Sequence, residues 1–350
     1  MLPGERLCGD GRDGPWWLVQ FYSIHRLLVM LRLSFNGWAQ AAVMALAALL
    51  SGPVFAVDHL VYPRSESASD SQYDYDYGLL RLALEVTRRS HGSFELRASD
   101  VPMNQARAAS ELVAGGGVTV MARSTSTEHE NRMLPVRFPL DKGLVGYRIF
   151  LIHRAMQARL AGVGTVADLR RFSIGALETW ADAAILRQAG FEVVGGDSYE
   201  GLFHMLVGGR FDMFSRSVDE AFREWDERNA SLPDLAVEEG LLLHFPTTRY
   251  FFFQRSPAGH ALAERVEAGL EALLRSGAFD AHFQKYKGPL IARAQLERRR
   301  IIHIKNPLLP TATPLNRKQL WIDLDSMAAE KRSLCGRAAK PPADPVKCGR

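Results

Sequence analysis

The chain has 350 residues, 47% of them hydrophobic, which is enough for two lobes with separate cores. Its formal net charge of +4 sits at the ends, because residues 326–350 carry +4 and residues 1–56 carry +1, leaving 57–325 at −1. No basic stripe interleaved with aromatics occurs, which argues against a nucleic-acid partner.

The N-terminal stretch "WAQAAVMALAALLSGPVFAVDH" reads as an export signal. Its apolar core, Ala41 to Leu50, is shorter than the roughly 20 residues a spanning helix needs. Ser51, Gly52 and Pro53 break it, and Val54 and Ala56 stand at −3 and −1 of a cleavage site after Ala56. Residues 1–56 are therefore a signal peptide with an upstream extension, and Met30 fits the true start better than Met1. The periplasm is the expected location. The alternative is a membrane anchor made of an uncleaved 38–56 segment. Cys335 and Cys348, the cysteines that survive cleavage, either close one small loop or stay free in the tail.

Strands and helices alternate through the mature chain. "HLVYP" (59–63) is a strand, "RSESASDSQYDYDY" a polar, acidic loop, and "GLLRLALEVTRR" a helix with apolar residues at helical spacing. "SFELRAS" is a second strand, and "NQARAASELVAGG" a helix capped by Gly115. "VTVMA" follows as a strand and ends in the hydroxyl cluster Ser124, Thr125, Ser126 and Thr127. A second unit repeats the logic. "GYRIFLIHR" (146–154) and "LLLHFPTTRYFFFQR" (241–255) are long β-runs that flank a further series of strands and helices. Such runs predict a double crossover between two lobes, each a mostly parallel sheet flanked by helices. Two helices, about 257–275 and 278–287, close the first lobe. Beyond them, 290–300 reads as a helix ending in Arg298-Arg299-Arg300, and "KNPLLPTATPLN" as an extended wrap. The expected division is 57–150 for the first part of lobe 1, 151–243 for lobe 2, 244–325 for the return with its extension, and 326–350 for a flexible tail.

Three stretches carry a resemblance. "ELVAGGGVTVMARSTST…RMLPVRFPL", "TVADLRRFSIGALETW" and "SYEGLFHMLVGGRFDMFSRS", in this order and spacing, are similar to landmarks of family 3 periplasmic solute-binding proteins. The resemblance spans about 57–290 and implies the two-lobed type II periplasmic-binding fold. It also implies capture of a small polar solute, such as an amino acid, for an ABC-type importer. The ligand positions depart from the family. Glu130 stands where its amino-acid binders place a carboxylate-clamping arginine, and Ser217 where they place an ammonium-binding aspartate. A standard α-amino acid is therefore in doubt.

Ligands of doubly wound sheets bind outside the carboxyl ends of the strands. That rule nominates Arg123, Ser124, Thr125 and Thr127 in one lobe, and Thr179, Trp180, Ser215, Arg216 and Ser217 in the other. Arg123 and Arg216 facing one another would suit an anionic ligand, and Trp180 either stacks on the ligand or packs beneath the hinge. "GVGTVA" lacks the preceding strand a dinucleotide site needs, and no nucleophile, zinc or Walker pattern occurs. Glu130 and Glu178 are the only carboxylates that suit a cleft enzyme. The expectation is a binding protein without cofactor or metal, partnered by an ABC permease or, alternatively, by a membrane signalling protein.

Overall fold

A computed structural model describes residues 57–64 and 71–324. The signal-peptide segment, the Cys335–Cys348 pair and the tail from Ser326 lie outside the described residues.

The first lobe opens with β1 (Asp58–Arg64), which pairs in parallel with β2 (Phe94–Pro102). Between them runs α1 (Ser71–Val86). Then come α2 (Gln105–Ala114), capped by Asn104 and closed by Gly115, and β3 (Val120–Ser124). The Thr119 N–H donates to the Val61 carbonyl at 2.9 Å, which sets β3 beside β1. β4 (Leu134–Val136) and β11 (Arg249–Phe253) complete the lobe, with β11 antiparallel to both β3 and β4. The paired strands are thus β2-β1 and β3-β11-β4, set side by side in the order β2-β1-β3-β11-β4 with β1 and β3 adjacent but not laddered.

The second lobe has β5 (Tyr147–His153), β6 (Ile174–Leu177), β7 (Val193–Gly196), β8 (Met213–Ser217), β9 (Leu235–Val237) and β10 (Leu241–His244). β6 is parallel to β7 and β8, and β5 runs antiparallel to β8. Its order, β7-β6-β8-β5-β10, repeats that of the first lobe: three parallel-type strands in the order second, first, third, then a strand arriving from the far lobe. Three helices flank it, α4 (Ala181–Gln188), α5 (Tyr199–Val207) and α6 (Val218–Arg228). β5, β8 and β11 are buried almost throughout, as strands covered on both faces are. This is the two-lobed α/β architecture expected from the sequence. β5 pairs only within the second sheet, so that sheet begins at Tyr147.

The chain crosses between lobes at 137–146 and again at 245–248. The two crossings touch: Leu140 N–H donates to Arg249 O at 3.1 Å, and Phe245 N–H to Gly146 O at 3.2 Å. Gly146 is required there, because a Cβ would lie 2.4 Å from the Phe245 carbonyl oxygen. Asp141, only 1% exposed, accepts from the Gly143 and Val145 N–H groups and from the Thr248 hydroxyl at 3.0–3.2 Å.

Three expectations need correction. The "polar loop" before Gly78 is helical from Ser71, and Tyr75, Asp76 and Tyr77 are buried rather than solvated. Asp76 pairs with Arg249 of β11, and the Tyr75 hydroxyl donates to the Leu140 carbonyl. The 241–255 run is two strands, β10 and β11, split at the second crossing. Residues 290–300 are not one helix. After α7 (Pro257–Ser276), α8 (Ala278–Ala294) gives way to a tight turn and then to β12 (Arg300–His303), which joins β10 in parallel at the edge of the second sheet.

Candidate functional site

β3 delivers Arg123 and Ser124 to the lobe junction, and the chain then enters the short helix α3 (Thr127–Arg132). Ser126 caps that helix, accepting from the His129 N–H at 3.1 Å. From the second lobe, the turn after β6 brings Thr179, Trp180 and Ala181 to the same place. These two groups line one cleft of about 610 Å3, together with Ala106, Ala109 and Ser110 of α2 and with Pro307 and Leu308 of the C-terminal segment.

Arg123 is half-buried and donates through Nη1 to the Gln105 carbonyl at 3.3 Å. Burial pushes its guanidinium below the ordinary value, and Glu128 opposes that shift. Arginine nonetheless stays charged in proteins. His129 Nδ1 lies 3.0 Å from the Ser124 carbonyl, so it carries the proton, and Nε2 is left as an acceptor in the neutral ring. Burial lowers the His129 pKa, and the Arg123 charge adds to that effect. Arg132 is exposed and paired with Glu128 at 3.6 Å on α3. Thr127 and Thr179 are exposed at the mouth.

Thr125 is a different case. It is one of the lining residues, but its hydroxyl donates to Glu130 Oε1 at 2.7 Å. Glu130 in turn takes a two-pronged contact from Arg137 Nε and Nη2, at 2.9 and 2.7 Å. Glu130 is thus held in a structural ion pair with Arg137, and Thr125 is bound to it.

Ser215, Arg216 and Ser217 do not line the cleft; they are the predicted site residues that the structure relocates. All three are buried, at 4%, 5% and 3% exposure. Arg216 Nε and Nη2 donate to Glu224 of α6 at 2.7 and 2.6 Å, and Glu220 lies 3.1 Å away. Burial alone would raise the Glu220 pKa, but Arg216 and Arg148 outweigh it and hold the carboxyl at about 2. Ser217 is the N-cap of α6, and its N–H donates to Glu220 Oε2 at 3.0 Å. Arg216 therefore does not face Arg123 across the cleft.

Its role is to seat Trp180. The guanidinium carbon lies 4.8 Å from the indole centroid, and Phe214 is parallel to the indole within 6° at 6.1 Å. Trp180 thus packs on Arg216 and Phe214 of the second lobe and also lines the cleft. Glu178 is exposed and paired with Arg187 at 2.5 Å, outside the lining. The sequence nominated neither Ala106, Ala109 and Ser110 of α2, nor Glu128, His129 and Arg132 of α3, nor Pro307 and Leu308, all of which line the cleft. Only the α3 residues left a signal, through Ser126 as a cap and the Glu128–Arg132 spacing of a helix.

No protein-family model matches the chain, and no curated protein does. Among solved structures, it is similar to an ancestral arginine-binding protein bound to arginine, at 14% identity and TM-score 0.44, covering 65% of this chain and 97% of that one. It is likewise similar to ytmK of Bacillus subtilis, a probable amino-acid ABC transporter extracellular-binding protein. That match has 15% identity and TM-score 0.49, over 67% of this chain and 99% of that one. A third similar structure is a histidine kinase sensor domain with similarity to periplasmic binding proteins, at 16% identity and TM-score 0.43, with 67% and 97% covered.

Proposed function

We propose that this protein is an exported solute-binding protein that holds a small ligand with an anionic group in the cleft between its lobes. One observation carries the reading: the carboxyl ends of β3 and β6, from different lobes, line the same cleft. Arg123 supplies the charge for a carboxylate or similar anion, Ser124 and Thr127 supply hydroxyl donors, and Trp180 supplies a flat apolar wall. Thr179 completes the rim. Enclosure between lobes removes water from such charged contacts and strengthens them.

Neither Glu130 nor Ser217 is free to meet the ammonium of an α-amino acid, and the carboxylate that does line the cleft, Glu128, is paired with Arg132 at 3.6 Å. Glu130 is spent on Arg137, and Ser217 is a helix cap. A carboxylate without a neighbouring ammonium suits the lining better. The protein then acts without catalysis, delivering the solute in the periplasm to an ABC permease. The alternative partner is a membrane signalling protein that reads the occupancy of the same cleft.

Mass spectrometry of small molecules released from freshly purified, denatured protein tests the reading. An organic anion is expected, lost from an Arg123→Gln variant. A released cation, or an anion retained by that variant, would overturn it.

A further inference from the structure

The strongest feature that the function does not absorb is the path of residues 300–324. β12 adds to the second lobe's sheet, and Ile304 N–H donates to His244 O at 2.9 Å. Asn306 Nδ2 then donates to the Pro246 carbonyl at 2.9 Å, beside the second crossing, while its Oδ1 accepts from the Leu308 N–H at 3.0 Å. That turn sets Pro307 and Leu308 into the cleft lining. Downstream, Arg317 grips Glu271 of α7 in the first lobe with two bonds at 2.6 and 2.9 Å. Leu320 is fully buried in the first lobe's core. The loop carrying Leu308 is therefore fastened on one side to the second lobe and on the other to the first. Its apolar residues are held in place, not draped there.

We infer that Pro307 and Leu308 form a third, apolar wall of the ligand site, and that the cleft selects anions carrying an apolar body. The inference rests on the cleft reading above and narrows it. Trp180, Ala106 and Ala109 line the same cleft, so its surface is divided between a polar group around Arg123 and His129 and an apolar remainder. A compact, strongly hydrated anion would leave the apolar part wetted. A carboxylate with several methylenes or a ring fills both parts. Each buried methylene contributes roughly fourfold in affinity.

The test is a calorimetric series with acetate, butanoate and hexanoate on the full mature protein, repeated with Leu308→Ser, Leu308→Trp and Arg123→Gln. The expected result is affinity that climbs with chain length. Leu308→Ser should flatten the climb, Leu308→Trp should cost hexanoate more than acetate by filling its space, and Arg123→Gln should weaken the whole series. Leu308→Trp keeps the position apolar and serves if the serine variant does not fold. Affinity that depends on Arg123 but ignores chain length and both Leu308 variants would overturn the apolar wall and leave the anion cleft standing. Absence of binding by every carboxylate, or binding indifferent to Arg123, would overturn the cleft reading and this inference with it.

Discussion

The guanidinium of Arg216 lies beneath the indole of Trp180, 4.8 Å from its centroid, while its nitrogens are bonded to the fully buried carboxylate of Glu224. One charge is thus neutralised inside the second lobe, and the same group props up a wall of the cleft. Removing one partner of such a pair strands the other, which costs about 3–5 kcal/mol. Arg216→Ala should lower the urea midpoint accordingly, and Arg216→Met combined with Glu224→Leu should recover most of it. If Arg216→Ala were as stable as wild type, the pair would not be structural.

Arg123 is the contrasting case. It is half-buried and makes one hydrogen bond to a carbonyl, so Arg123→Gln should cost at most about 1 kcal/mol of stability. A hydrogen bond to a charged ligand contributes about 1.5–3 kcal/mol, so the same change should weaken carboxylate binding by roughly tenfold or more. Urea unfolding and calorimetry, run on one preparation, separate the two effects. A large stability loss with unchanged affinity would move Arg123 from the site to the scaffold.

Much of the scaffold was legible because fully buried strands announce themselves. "YRIFLIH" and "RYFFF" have no solvent face to dilute the apolar pattern, and Gly115 and Gly277 mark helix ends by their left-handed backbone. The start of α1 was hidden because its residues are polar, and their burial depends on partners far along the chain: Asp76 on Arg249, Tyr75 on Leu140. Half of the cleft was legible as strand ends. The other half was misread because Arg216 looks like a cleft cation until α6 folds Glu224 back onto it, although Ser217 and Glu220 do have the spacing of a helix cap. Leu308 had no signal of its own. Its place is set by an asparagine turn and by a short edge strand, β12, that the sequence reading did not assign.

The pair formed by Asp76 and Arg249 gives a test of the lobe junction. Asp76 is 1% exposed, and Arg249 Nη2 meets its Oδ2 at 2.5 Å. Burial raises the Asp76 pKa, with Arg249 and Lys287 opposing it. Arg249→Met removes the main compensation and should cost about 3–5 kcal/mol. The loss should shrink in the additional presence of Asp76→Asn, which removes the stranded charge. Additive losses in the double variant would mean that the two side chains are not coupled.

The edge of the second sheet should respond to acid. His244 of β10 and His303 of β12 stand opposite one another, with their Nδ1 atoms 3.0 Å apart, and Tyr147 stacks on His244 at 4.2 Å. Burial lowers the His244 pKa, His303 lowers it further, and the result is about 4. An unfolded histidine titrates near 6.5. Above that pH the ring is neutral in both states and has no effect on the balance. As the pH falls from about 6.5 to 4 the unfolded chain takes up the proton and the folded one does not, so stability drops. The full effect is up to about 3 kcal/mol, at 1.36 kcal/mol per pKa unit. His129 and His282, whose pKa values are also lowered by burial, act in the same direction. The informative quantity is therefore the difference between wild type and His244→Gln. Urea unfolding at intervals from pH 7 to pH 4 should show a shallower decline in the variant. Parallel curves for the two proteins would assign the acid sensitivity to the other histidines and leave the His244–His303 contact without a role in it.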